Sequence, residues 1–193
     1  MKWYWTVSCD NTVATPFVGD QGDLGLDESL LRTGRLVETW PGTAWVRAHS
    51  QQQDGEPDDV LQTLFALPIF SARLRTALQH AGIEGVEYLP IRVYRPNGDA
   101  IFGFSIANIL SCVEALDLRL SDFQRLPDDY FLPERRGWIR SISKPVLVRS
   151  VLEGLDVIRL SCFPPSVYVS ERFVRVFEDG RFTGYSFHEV QTS

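Results

Sequence analysis

Residues 71–85, SARLRTALQHAGIEG, and residues 170–184, SERFVRVFEDGRFTG, decide the fold. Both read Ser, any residue, Arg, apolar, three residues, apolar, six residues, Gly. At a constant offset of 99 the pairs are Ser71 and Ser170, Arg73 and Arg172, Leu74 and Phe173, Leu78 and Phe177, Gly85 and Gly184, Tyr88 and Phe187, Ile91 and Val190. The register of Ile69-Phe70 against Tyr168-Val169 is loose. Ser71 and Ser170 sit where an N-cap hydroxyl accepts from the first free amides of a helix. Leu74, Ala77, Leu78 and Ala81 then share one face at helical spacing, as do Phe173, Val176 and Phe177. Gly82 and Gly180 end the helices, Gly82 in the C′ position that tolerates positive φ. Short β-rich runs flank each helix, so the reading is one strand–helix–strand unit used twice, each helix packing on the sheet that its strands join.

Working outward, Lys2 to Val7 is aromatic and β-branched and reads as a strand. Asp10 to Leu30 is glycine-rich without periodicity and reads as a long loop. Gly34 to Val46 suggests a hairpin or two short strands around Pro41-Gly42, and His49 to Asp59 a polar loop tip. Val86 to Arg95 and Ala100 to Ile109 form strands about the Pro96-Asn97-Gly98-Asp99 turn, the strongest hairpin signal in the chain. A short helix is expected around Val113 to Leu116, an irregular charged stretch from Ser121 to Gly137, a strand from Asp156 to Leu160, a break at Pro164-Pro165, and a terminal strand from Gly184 to Val190. The fold class is therefore α+β: a mixed, largely antiparallel sheet with two equivalent strand–helix–strand units. At 193 residues the chain reads as a single domain, with an acidic, loop-rich part over 1–59 and the duplicated core over 60–193.

Composition excludes several classes. With 44% apolar and 23% charged residues the chain is not a disordered one. The longest charge-free run, Ala100 to Val113, is too short and too interrupted for a membrane span, and Met1 to Val7 lacks the apolar core of a signal peptide. The expectation is a cytosolic protein. Cys9, Cys112 and Cys162 are scattered, with no CxxC, and read as reduced, mostly buried thiols. His49, His80 and His188 show no metal-ligand spacing with them, so no metal or cofactor is expected. No nucleophile elbow or phosphate-binding glycine loop is present. Adjacent carboxylates at Asp58-Asp59 and Asp128-Asp129 face opposite ways in a strand and make no ready acid–base pair. A hydrolase using Cys112, Cys162 or His188 in a pocket, and a regulatory or adaptor module, are the competing readings.

Charge is unevenly placed. Asp10 to Asp59 holds ten acids against Arg32, Arg35 and Arg47, a balance of −7, while the rest of the chain carries +1, together the net −6. That disfavours nucleic acid, which requires a basic footprint, and suits a basic protein partner. The candidate interface is the loop with Asp54, Glu56, Asp58 and Asp59, a second patch at Asp20, Asp23, Asp27 and Glu28, and Trp40 or Trp45 as an apolar anchor.

Three runs resemble a family of bacterial immunity proteins from polymorphic-toxin systems, named after a myxobacterial member. They are Leu67 to Leu74 followed by Gly82 to Ile91; Ala107 to Leu110 with Val113 to Asp117; and Pro164 to Phe173 with Phe182 to Phe187. The resemblance spans about Val60 to Val190 and covers 1–59 only through length and acidic, turn-rich character. It implies a cytosolic antitoxin that binds a cognate toxin domain encoded beside it, without catalysis, and it carries no catalytic residues over.

Overall fold

The computed structural model describes residues 1–8, 18–48, 57–63 and 66–193. In chain order the strands are β1 (Trp3–Ser8), β2 (Val18–Asp23), β3 (Trp45–Ala48), β4 (Val60–Thr63) and β5 (Ile69–Ser71), then helix α1 (Ala72–His80). β6 (Val86–Pro90), β7 (Arg92–Tyr94), β8 (Ala100–Ile101), β9 (Phe104–Ile109), β10 (Cys112–Val113), β11 (Asp122–Arg125), β12 (Ile139–Lys144) and β13 (Val146–Leu147) follow. β14 (Val157–Leu160), β15 (Phe163–Ser170), helix α2 (Glu171–Asp179) and β16 (Tyr185–Thr192) close the chain. The class is α+β and the pairing mostly antiparallel, as the duplicated motif predicts.

The repeat is real and larger than its motif. Unit 1 is an antiparallel leaf ordered β4-β5-β9-β6, and unit 2 is β14-β15-β1-β16. Ser71 pairs with Phe104 and Ser170 with Trp3; Tyr88 pairs with Ala107 and Phe187 with Thr6. β1 therefore takes in unit 2 the place that β9 takes in unit 1. The acidic N-terminal part is not an appendage to the core, because its own β1 completes the second unit, and Trp3 is buried there. The shared register also aligns Ile69 with Tyr168 and Phe70 with Val169, resolving the loose match at the strict offset of 99.

Each helix begins as its cap requires. Ser71 accepts from the Leu74 amide at 3.1 Å and Ser170 from the Phe173 amide at 3.2 Å. Both helices end in the same Schellman arrangement, Ile83 N–H donating to Leu78 O and Phe182 N–H to Phe177 O. Gly82 supplies the left-handed residue of the first (φ 67°), but in the second that residue is Arg181 (φ 50°), while Gly180 keeps a helical φ of −77°. Gly180 thus ends the helix as its cap, as the sequence reading has it, and the left-handed residue falls one position later. Leu74, Leu78, Phe173 and Phe177 meet with Phe70, Val169 and Tyr185 in one core shared by both units.

The units are also cross-tied. Arg73 donates to the Gly180 and Arg181 carbonyls at the end of α2, and Arg172 donates to the Ala81 carbonyl at the end of α1. Each arginine thereby places its cation at the negative end of the other helix.

The remaining elements extend the leaves. β2, β3, β7 and β8 lengthen unit 1 to eight strands, β10 and β13 border unit 2, and β11 with β12 forms a separate hairpin. Several expectations fail here. The Asp10 to Leu30 loop contains β2, and its β2 pairs with β3. Gly34 to Val46 is irregular until Trp45 opens β3. Val113 to Leu116 is no helix, because Cys112–Val113 pairs in parallel with β14. Pro164-Pro165 does not break the chain: it lies inside β15 beside a register shift, where missing amides are tolerated. Part of the irregular charged stretch is β11.

Candidate protein-binding surfaces

Of the acidic residues proposed as an interface, Asp54 and Glu56 lie outside the described residues, as do Cys9 and His49, and Asp20 is described only as a backbone position in β2. Asp23 is exposed, with its carboxylate accepting from the Gly25 amide at 2.7 Å. Asp27 is also exposed and caps a 3₁₀ turn over Glu28–Arg32, accepting from the Ser29 amide at 2.9 Å. That amide and the Ser29 side chain hold its carboxyl below the usual range. Glu28 is half-buried in the same turn. Asp58 is half-buried, and burial pushes its carboxyl up.

Asp59 corrects the sequence reading. It is buried, and its carboxylate accepts from Ser71 Oγ at 2.7 Å, Arg73 Nε at 3.2 Å, Arg73 Nη2 at 2.5 Å and the Thr183 amide at 3.1 Å. Asp156 does the same in unit 2, taking Ser170 Oγ at 2.6 Å and Arg172 Nη1 at 2.9 Å. A carboxylate so enclosed has no face left for a partner; Asp59 orients the cap and the arginine of its unit. The pairing was written in the sequence as Asp59 and Asp156 ahead of two Ser-x-Arg motifs, but the two spacings differ, 12 residues and 14, which hid it from a fixed-offset comparison.

The tryptophans are half-buried. Trp40 donates its indole N–H to the Pro90 carbonyl at 2.7 Å and packs against the core of unit 1. Trp45 meets Tyr94 edge-on at 6.2 Å, with the Arg47 guanidinium 5.6 Å from its ring centroid. Ahead of Trp40 in the chain, the segment 23–38 has Leu30 and Leu36 exposed, together with Asp23, Asp27 and Glu38.

The groups of the hydrolase reading are dispersed. Cys162 is exposed, not buried as expected, and Cys112 is half-buried. Desolvation pushes both thiols up, the reverse of the shift that makes a thiolate nucleophile. His188 faces Trp5 across the β1–β16 pair and lines a groove with Lys144 and Glu189, whereas Cys162 lines a different one. The most perturbed cation is Arg159, fully buried, with burial pulling it down to about 10. It donates to the Pro164 and Ala66 carbonyls and so ties the β14–β15 turn to the loop between β4 and β5.

Sequence reasoning missed the region around the β11–β12 hairpin. Leu118, Leu120, Phe131 and Trp138 are all exposed there, and Trp138 and Leu118 wall an open groove of about 760 Å³. The available signal was four large apolar side chains, without periodicity, inside a stretch otherwise rich in charge.

Residues 6–192 match the model of the Imm11 immunity protein family, and the chain belongs to that family. No curated protein shows significant similarity to it. No helix among the described residues is long and apolar enough to cross a membrane.

Proposed function

We propose that this family member is an antitoxin of a polymorphic-toxin system, acting in the bacterial cytoplasm by binding its cognate toxin domain tightly and without catalysis. The observation that carries the reading is the family match over nearly the whole chain; the displaced charge, −7 over residues 10–59 against +1 elsewhere, supports where the partner docks. Toxin domains that act on nucleic acid or nucleotides carry basic clefts, and an acidic surface held on a cross-tied sheet can occupy one and block it. The contacts assigned to the partner are Asp23, Asp27, Glu28 and Asp58, with Asp20, Asp54 and Glu56 added on charge alone, and Trp40 or Trp45, each half-buried, as the apolar anchor. Asp59 is left out, since its carboxylate is consumed inside the fold.

The experiment is binding of the toxin domain encoded beside this chain, at low and high salt, to wild type and to a variant with Asp23, Asp27, Asp54, Glu56 and Asp58 changed to lysine. Long-range attraction acts mainly on the association rate and is screened by salt. The variant should associate at least ~10-fold more slowly at low salt and lose most of the wild type's salt dependence. Equal rates at low salt place the interface elsewhere.

A further inference from the structure

We infer that the groove beside the β11–β12 hairpin is a second docking point for the toxin partner, and that it takes an extended segment of that partner carrying a large apolar side chain next to a carboxylate. This rests on the immunity reading above and adds the chemistry of the partner. The hairpin is a sheet of its own outside both repeated leaves, and its inner side, Phe123, Ile139 and Ile142, packs on the core of unit 2. Even so, Trp138 is 59% exposed, Leu118 51% and Phe131 74%. Exposed apolar groups gathered in this way mark interaction sites.

The site is built and rigid. Buried Leu116 and Ile139 belong to the core of unit 2 and contribute the groove's apolar lining, and Leu118 and Trp138 stand above them as exposed walls. Trp138 is held on a bonded stem: its carbonyl accepts from the Leu126 amide at 2.8 Å, and its amide donates to the Arg135 carbonyl at 3.1 Å. Arg125 Nη1 donates to the Gly137 carbonyl at 2.6 Å, which fixes the guanidinium at the rim. A stem fixed in this way spares the backbone part of the ordering cost when Trp138 is covered.

Charge gives the partner's chemistry. Arg125 lines the groove, and the Arg135 guanidinium lies 6.0 Å from the Trp138 ring centroid. Glu114 is the one carboxylate lining it. The nearby Asp117 carboxylate is engaged by the Arg119 and Leu120 amides. In the lining Arg125 is matched by Glu114, and Arg135, outside the lining, adds a second guanidinium beside the Trp138 ring, so the cations gather at the aromatic wall, and their complement is an apolar side chain with an acid beside it.

Cys162 also lines the groove and is exposed, so its thiol reports occupancy. With Cys9 and Cys112 changed to serine, alkylation of Cys162 by iodoacetamide is timed with and without the toxin domain encoded beside this chain. Affinities of Trp138→Ala, Leu118→Ala and Arg125→Glu are measured alongside, with thermal melts to show that each is folded. Bound toxin should slow alkylation at least ~10-fold, and Trp138→Ala should weaken binding by ~10-fold or more, the effect of losing a central aromatic anchor. Leu118→Ala, which leaves the hairpin stem intact, and Arg125→Glu should weaken it in the same direction. Unprotected Cys162 together with unchanged affinities overturns the groove alone and leaves the acidic surface standing. A wild-type chain that binds no toxin domain overturns the immunity reading and the groove with it. Self-association in sedimentation that Trp138→Ala abolishes assigns the groove to a second copy of the chain, whose own Leu36 and Glu38 fit the same chemistry, and overturns the toxin assignment.

Discussion

Replacing Asp59 by alanine should cost about 3 kcal/mol of folding stability. The carboxylate receives four hydrogen bonds, two from Arg73 and one each from Ser71 Oγ and the Thr183 amide. The Arg73 side chain is 58% exposed, so water replaces most of what it loses and its share is small. The other two donors are partly buried. Each bond to a charged acceptor is worth about 1.5–3 kcal/mol net, and the donors left behind carry their own desolvation cost. Discounting for the hydroxyl's freedom to turn elsewhere gives ~3 kcal/mol, or roughly 6–12 °C in thermal midpoint for a chain of this size. The assay is urea unfolding followed by far-ultraviolet circular dichroism, with the slope m unchanged and the midpoint lowered. Arg73→Ala should cost less than Asp59→Ala, because its partner then keeps two donors. Toxin affinity of the folded fraction should not change, which separates a folding carboxylate from an interface one. A loss within ~0.5 kcal/mol of wild type, a level typical of unremarkable surface changes, would refute the reasoning; so would an Arg73→Ala variant that is the less stable of the two.

Arg181→Gly should raise stability by about 1 kcal/mol in calorimetry, since a left-handed conformation costs a non-glycine residue roughly 1–2 kcal/mol and the Arg181 carbonyl that Arg73 uses is retained. Gly184→Ala should unfold the protein or cost several kcal/mol: at φ 102° an added Cβ would sit 2.2 Å from the Val60 carbonyl oxygen, whereas Gly154→Ala, with open space around it, should show only the cost of its φ of 76°. Asp58→Asn should stabilise the protein at pH 7. Burial raises the folded carboxyl above its ordinary value, so its contribution is favourable below the unfolded pKa and is lost as pH rises through the folded one; the gain of the variant over wild type should therefore vanish as pH is lowered below the carboxylate range, which urea midpoints from pH 3 to 7 will report.

The sequence was most readable where short-range rules act alone. Ser71, Leu74, Leu78 and Gly82 declare a capped helix within a dozen residues, and Ser170, Phe173 and Phe177 at the same spacing, with Gly180 one residue early, make the claim twice. Non-local pairing was not readable. Nothing local says that Trp3 to Ser8 belongs to the second unit, since the register that places it comes from partners more than 160 positions away. The same reason explains β10: Cys112-Val113 has no strand-length pattern and is extended only because β14 offers its open side. Proline misled at Pro164-Pro165 because local rules treat it as a breaker, while a bulged strand has room for it. At the candidate interface, composition located the charge but could not tell solvated from enclosed carboxylates. Asp58 and Asp59 are adjacent letters, one half-buried and one enclosed, and it is Ser71, Arg73 and the Thr183 amide, reaching Asp59 from elsewhere in the chain, that distinguish them.

The placing of β1, from the start of the chain, as a central strand of unit 2 has a consequence for how the protein is made. Unit 1 can assemble from a contiguous stretch, since β4, β5, α1, β6 and β9 leave the ribosome one after another. Unit 2 cannot, because β1 emerges long before β15 and β16, the two strands that flank it. At about 5–20 residues per second the interval is roughly ten to thirty seconds, during which β1 has exposed aromatic side chains and unpaired amides on both sides. The shared helix core also waits, as Phe173 and Phe177 belong to the last segment made. Any interruption of synthesis after β9 therefore yields an assembled first leaf and an orphan β1, and on the function proposed above protection would begin only with chains made through β16.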